Sequence, residues 1–95
     1  MLDKPIRYCE HLELRLALRK MDRSLPERII RQAEQRFLDV ATGYRIAVAT
    51  AAYGAGDHLM MAAYEEHPEM IIAVTIHPLD VEDVAQKVRN GRWKP

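Results

Sequence analysis

The sequence predicts a single α+β domain over residues 1–95, with two N-terminal helices packed on a three- to four-stranded antiparallel sheet and a short C-terminal helix. Three observations lead there. Apolar residues recur at helical spacing in two segments before residue 40. They alternate or run continuously in three segments between residues 44 and 77. A capped amphipathic stretch then follows Pro78.

Composition limits the function classes. At 95 residues the chain buries a modest core, which a dimer would enlarge. The 48% hydrophobic and 29% charged content is that of ordinary globular proteins. No apolar run approaches the roughly 20 residues that a membrane span requires. The 14 basic and 14 acidic side chains cancel, which argues against a globally basic nucleic-acid binder and leaves room only for a local basic groove. Asp3, Lys4, Arg7 and Glu10 accompany no apolar leader segment, so the expected location is cytoplasmic; the lone Cys9, which makes no internal disulfide, agrees.

Residues 4–8, "KPIRY", read as a short first strand that Pro5 confines to a sheet edge or a strand start. The next stretch, "HLELRLALR" at 11–19, carries leucine at period two and His11, Arg15 and Arg19 at period four. Residue type decides between strand and helix: residues 11–21 contain no β-branched side chain and are mostly strong helix formers. On that helix Leu14, Ala17, Leu18 and Met21 form the expected buried stripe, with Leu12 and Leu16 as a second stripe on another side. His11, Arg15 and Arg19 line up between them, either as an anion-binding or catalytic file or as a solvated face whose arginine stems cover leucines.

Ser24 with Pro26 and Glu27 reads as a capping box opening a second helix. Ile29, Ile30, Ala33, Phe37 and Leu38 carry its apolar face to about residue 38, where Asp39 and Thr42-Gly43 end it. Residues 44–53 and 58–66, joined by "GAGD", form a hairpin. After the turn "HPEM", residues 70–77 make an interior strand in which Ile72, Val74 and Ile76 face one way and Ala73, Thr75 and His77 the other. Asp80 caps a last helix with Val81, Val84, Ala85 and Val88 as its buried stripe, and Gly91 stops it. Trp93, between Arg92 and Lys94, closes the core or stacks on a base.

The order helix-helix-strand-strand-strand-helix, with "HLELRLALRKM" at 11–21, "LPERIIRQAEQRF" at 25–37 and "IIAVTIHP" at 71–78, resembles the RelE-like toxin superfamily of the barnase/EndoU/colicin/RelE-type fold. The likeness spans residues 6–79 and is greatest for small, uncharacterised members whose first helix opens with histidine followed by arginines. It implies an antiparallel sheet with two helices on one face, an RNA-binding groove, and a cognate antitoxin protein that covers the groove. The implied activity is that of a metal-independent ribonuclease, or of a relative that has lost catalysis.

The chemistry of such a reaction needs a base for the 2′-hydroxyl proton, an acid for the leaving 5′-oxygen and cations for the phosphoryl oxygens. His11 and His77 are the candidates for proton transfer. Arg15 and Arg19 are the candidates for the phosphate, and Tyr64 and Thr75 for supporting donors. No cofactor is called for. Cys9 and His11 with His58 or His77 would make a soft ligand set, but the spacing fits no standard zinc pattern. Gly54 and Gly56 precede no helix and are no phosphate loop. The one serine, Ser24, is taken by its cap, so no serine triad can be nominated. The alternative is a non-catalytic protein-interaction module. Ala47, Ala49 and Ala51 share one strand face, where small side chains admit a helix, a second subunit of a homodimer or an antitoxin.

Overall fold

The computed structural model describes residues 3–95. The elements run β1 (Ile6–Tyr8), α1 (Glu10–Arg19), α2 (Leu25–Gln32), β2 (Gln35–Asp39), β3 (Arg45–Tyr53), β4 (Gly56–Glu66), β5 (Ile71–Pro78), α3 (Val81–Arg89) and β6 (Trp93–Lys94). The class is α+β, but the expected three- to four-stranded antiparallel sheet is corrected to a six-stranded mixed one. Its order is β1-β5-β4-β3-β2-β6, with β1 parallel to β5 and the other neighbours antiparallel.

Two of the extra strands come from segments whose local pattern favoured something else. The second helix stops at Gln32 because Ala33 turns to extended backbone, at ψ 132°. From there Glu34 donates its amide to the Val48 carbonyl at 2.8 Å, and Phe37 pairs with Ile46. Phe37 and Leu38 fit a helical period, yet only a strand beside β3 buries Phe37. β6 is two residues long and exists because Trp93 finds Asp39 across from it.

The sheet is covered on both faces. On one, Leu12 and Leu16 of α1 and Leu25, Ile29 and Ile30 of α2 pack on Ala47, Ala49, Met60, Ala62, Tyr64, Ile71, Ala73 and Ile76. The small alanines let α2 lie close to β3, so the face offered in sequence for a second subunit is already occupied by the chain's own helix. On the other face, Val84 of α3 and Trp93 join Phe37, Ile46, Val48, Met61 and Ala63. The Trp93 ring stacks on Phe37 with centroids 5.5 Å apart, so it belongs to the core and is not offered to a base.

Burial on α1 reverses the expected ranking of its stripes. Leu12 and Leu16 are 1% and 3% exposed, whereas Leu14 and Leu18 are 57% and 73% exposed. The two leucine pairs stand on opposite sides of the helix, at about 100° per residue, and one sheet meets only one of them. Ser24 also departs from expectation. Its hydroxyl donates to Asp22 Oδ1 at 2.8 Å, and no side-chain cap forms on α2.

A β-bulge at Val74 breaks the alternation of β5. Ala63 pairs with Thr75 and Tyr64 with Ala73, leaving Val74 without an opposite residue. Ala73 and Ile76 therefore both turn toward α1 and α2, and the alternation read from residues 72–77 holds only on either side of the bulge. Thr75 and His77 still share a face, since they lie opposite Ala63 and Met61 on the α3 side.

Candidate functional site

Cys9 joins α1 to the bulge. It is the N-cap residue of α1, and its sulfur accepts from the Leu12 amide at 3.4 Å. The thiol donates to the Val74 carbonyl at 3.4 Å, and the Cys9 amide donates to Ala73 O at 3.0 Å. A bulged residue has no ladder partner on one side, and here the thiol supplies one. β1 ends opposite Ala73. Beyond that point, the edge of β5 that β1 covers earlier is bordered by the start of α1. Cys9, two residues before His11, is thus tied to β5 at Val74, three residues before His77.

The candidate residues divide into three groups. His11, Arg15 and Arg19 lie exposed along α1. Arg15 Nε donates to His11 Nε2 at 3.1 Å, so the neutral imidazole carries its proton on Nδ1. Arg15, Arg19 and the neighbouring Lys20 have no acidic partner within 4.0 Å among the described residues, in contrast to Arg23, which binds Glu13 at 2.6 Å. The outer side of α1 thus offers a run of uncompensated cations on a chain of zero net charge.

Thr75 and His77 form the second group, on the face of β5 away from the packing side of α1. His77 is exposed, and its Nδ1 lies 3.0 Å from Pro78 O. A carbonyl only accepts, so Nδ1 carries hydrogen and Nε2 is left as the working nitrogen. Neither ring bonds the other; each is oriented by its own element.

Tyr64 stands apart from both. It is 2% exposed on the α1/α2 face, and its hydroxyl accepts from Arg36 Nη1 at 3.0 Å. Arg36 Nη2 also donates to the Ile30 carbonyl. This arrangement holds the end of α2 to the sheet, and the Tyr64 hydroxyl is turned away from any substrate on the surface. Sequence reasoning weighed Cys9 only as a free thiol or a metal ligand, missing its capping role, and did not single out Arg36. A cysteine directly before an acidic first turn was the available signal for the first; nothing local marks the second.

No group of three or more His, Cys, Asp or Glu side chains capable of holding a metal ion forms among the described residues. No helix in the described residues is long and apolar enough to cross a membrane. Compared with family models, with curated proteins and with solved structures, the chain matches none.

Proposed function

We propose that the protein is a RelE-like, metal-independent ribonuclease acting at the edge where α1 meets β5. The observation that supports this reading is the double tie of Cys9 to Ala73 and Val74, which joins the start of α1, two residues before His11, to β5, three residues before His77. The uncompensated Arg15 and Arg19 supply the phosphate-binding element.

In the reaction, a phosphate oxygen takes the donor that Arg15 now gives to His11. That frees the Nε2 lone pair, and His11 accepts the 2′-hydroxyl proton as the 2′-oxygen attacks phosphorus. His77, held by Pro78 through Nδ1 and entering the reaction as the doubly protonated imidazolium, gives its Nε2 proton to the 5′-oxygen as the P–O5′ bond breaks and is left neutral. The products are a 2′,3′-cyclic phosphate and a 5′-hydroxyl. Arg19 steadies the phosphoryl oxygens, and Thr75 offers a hydroxyl beside His77.

The test is cleavage of a short labelled RNA, with and without chelator, by the native protein and by His11→Ala and His77→Ala variants of unchanged fold. Chelator-resistant cleavage that each variant loses by a hundredfold or more, on the order of a general acid–base contribution, supports the reading. Intact RNA, or variants that cut as well as the native chain, overturns it.

A second reading is favoured by Leu14 and Leu18, exposed one turn apart on α1. Under it the protein is a non-catalytic interaction module and α1 presents its outer leucines to a partner protein such as an antitoxin. RNA then stays intact, and the double histidine variant behaves as the native chain does.

A further inference from the structure

We infer that α3 is a self-association surface through which two copies of this chain pair, antiparallel and two-fold symmetric about Ala85. The helix turns one valine, Val84, into the core, while Val81 and Val88 remain 74% and 41% exposed. With Ala85 they follow i, i+4, i+7 spacing and form one stripe. Beside the stripe runs an open groove of about 510 Å³, bordered also by Leu59 and Gln35.

A two-fold axis across Ala85 sets Val81 against the partner's Val88, and the two Ala85 methyl groups against each other, where a small side chain permits close approach. The same operation pairs charge. Glu82 and Arg89 are seven residues apart, hence on one flank of the helix. Neither has an ion-pair partner among the described residues. Two-fold packing places Glu82 opposite the partner's Arg89, and the reverse, making two equivalent ion pairs at the rim. It also runs the two helices antiparallel, so that each N-terminal end lies beside the partner's C-terminal end and the helix dipoles oppose. A parallel arrangement would align like charges, so the pattern specifies orientation as well as partner.

The occupant is a second copy because the surface is self-complementary in both shape and sign. A nine-residue helix is about 13 Å long and covers less than the roughly 800 Å² per partner of a standard stable interface. The contact is therefore a small one, of the size of weak, transient interfaces. Leu59 and Gln35 enlarge the contact as the partner's helix settles beside the groove. The inference does not rest on the ribonuclease reading, and RNA cleavage is not its readout.

Sedimentation equilibrium of the full chain tests it. The native protein is expected to dimerise weakly. Glu82→Arg, which sets two arginines face to face at each rim, is expected to weaken association at least tenfold while far-UV circular dichroism and the unfolding midpoint stay near native. Glu82→Arg combined with Arg89→Glu is expected to restore it. A chain that stays monomeric to concentrations on the order of 1 mM overturns the inference. So does a dimer that Glu82→Arg leaves intact, or one that the double exchange fails to rescue.

Discussion

The Cys9 thiol and the Val74 carbonyl, 65 residues apart in sequence, lie within 3.4 Å of each other, and the same sulfur caps α1 through the Leu12 amide. One side chain thus satisfies a helix end and a bulge at once. Cys9→Ala removes both bonds, and is expected to lower stability by about 0.5–2 kcal/mol, the range for loss of a helix N-cap. Cys9→Ser keeps a donor and an acceptor at the same place and is expected to recover most of the loss. Urea unfolding of the three proteins checks this, and equal stability of native and Cys9→Ala would show that the sulfur contacts carry no weight.

The two leucine stripes of α1 give a sharper contrast. Leu16 is buried against the sheet and Leu18, two residues on, is solvated. Leu16→Ala is expected to cost about 2–5 kcal/mol, the range for leucine truncation in a packed core. Leu18→Ala is expected to stay within about 0.5 kcal/mol, as for a surface change. Thermal and denaturant midpoints of both variants decide the matter; comparable losses would mean that both sides of α1 are covered in solution.

Trp93 gives the C-terminus its place. It is 3% exposed and stacks on Phe37, so Trp93→Ala is expected to destabilise by about 3–5 kcal/mol and to release β6 from β2. Hydrogen exchange at Val40, whose amide donates to Arg92 O at 2.9 Å, reports the release. Unchanged protection of that amide in the variant would contradict the arrangement.

Asp39 ties the same tail and makes it sensitive to acid. Burial pushes its carboxyl up, but the Arg92 guanidinium and the amides of Ala41 and Thr42 outweigh that and hold it below the ordinary value of 3.8. A carboxyl whose folded value is depressed stabilises the fold above the unfolded value, and that contribution fades as pH falls through the folded one. Stability should accordingly drop on acidification from about pH 5 downward. Glu66, lowered by its bond to Lys4, contributes in the same sense. Asp39→Asn is expected to be less stable than native at neutral pH and to lose less on acidification. Parallel pH–stability curves for the two proteins would rule out this linkage.

Much of the local structure was legible because it follows from short-range patterns. The absence of β-branched residues over 11–21 made α1 a helix. The turn residues Gly54 and Gly56 announced the β3–β4 hairpin, and Gly54 does adopt φ 64°, which favours glycine. Less of the candidate site was legible. Histidine and arginine on α1 and histidine on β5 were visible as residue types, but their relation depends on Cys9 reaching Val74. Tyr64 read as a supporting donor on a strand, but it is buried under the helices and its hydroxyl is taken by Arg36 of β2, a pairing across 28 residues.

The sequence by itself determined the α+β class, the helical state of the first leucine-rich segment, the meander of β3, β4 and β5, and the capped helix after Pro78. Each rests on interactions between residues a few positions apart, which periodicity and turn chemistry encode directly. Only the tertiary structure decided that β1 lies parallel to β5, that residues 35–39 leave the helix for a strand, which leucine pair of α1 enters the core, and where the bulge shifts the register. Those outcomes are set by burial against partners tens of residues away, and a local pattern compatible with two answers yields to whichever face the sheet can cover.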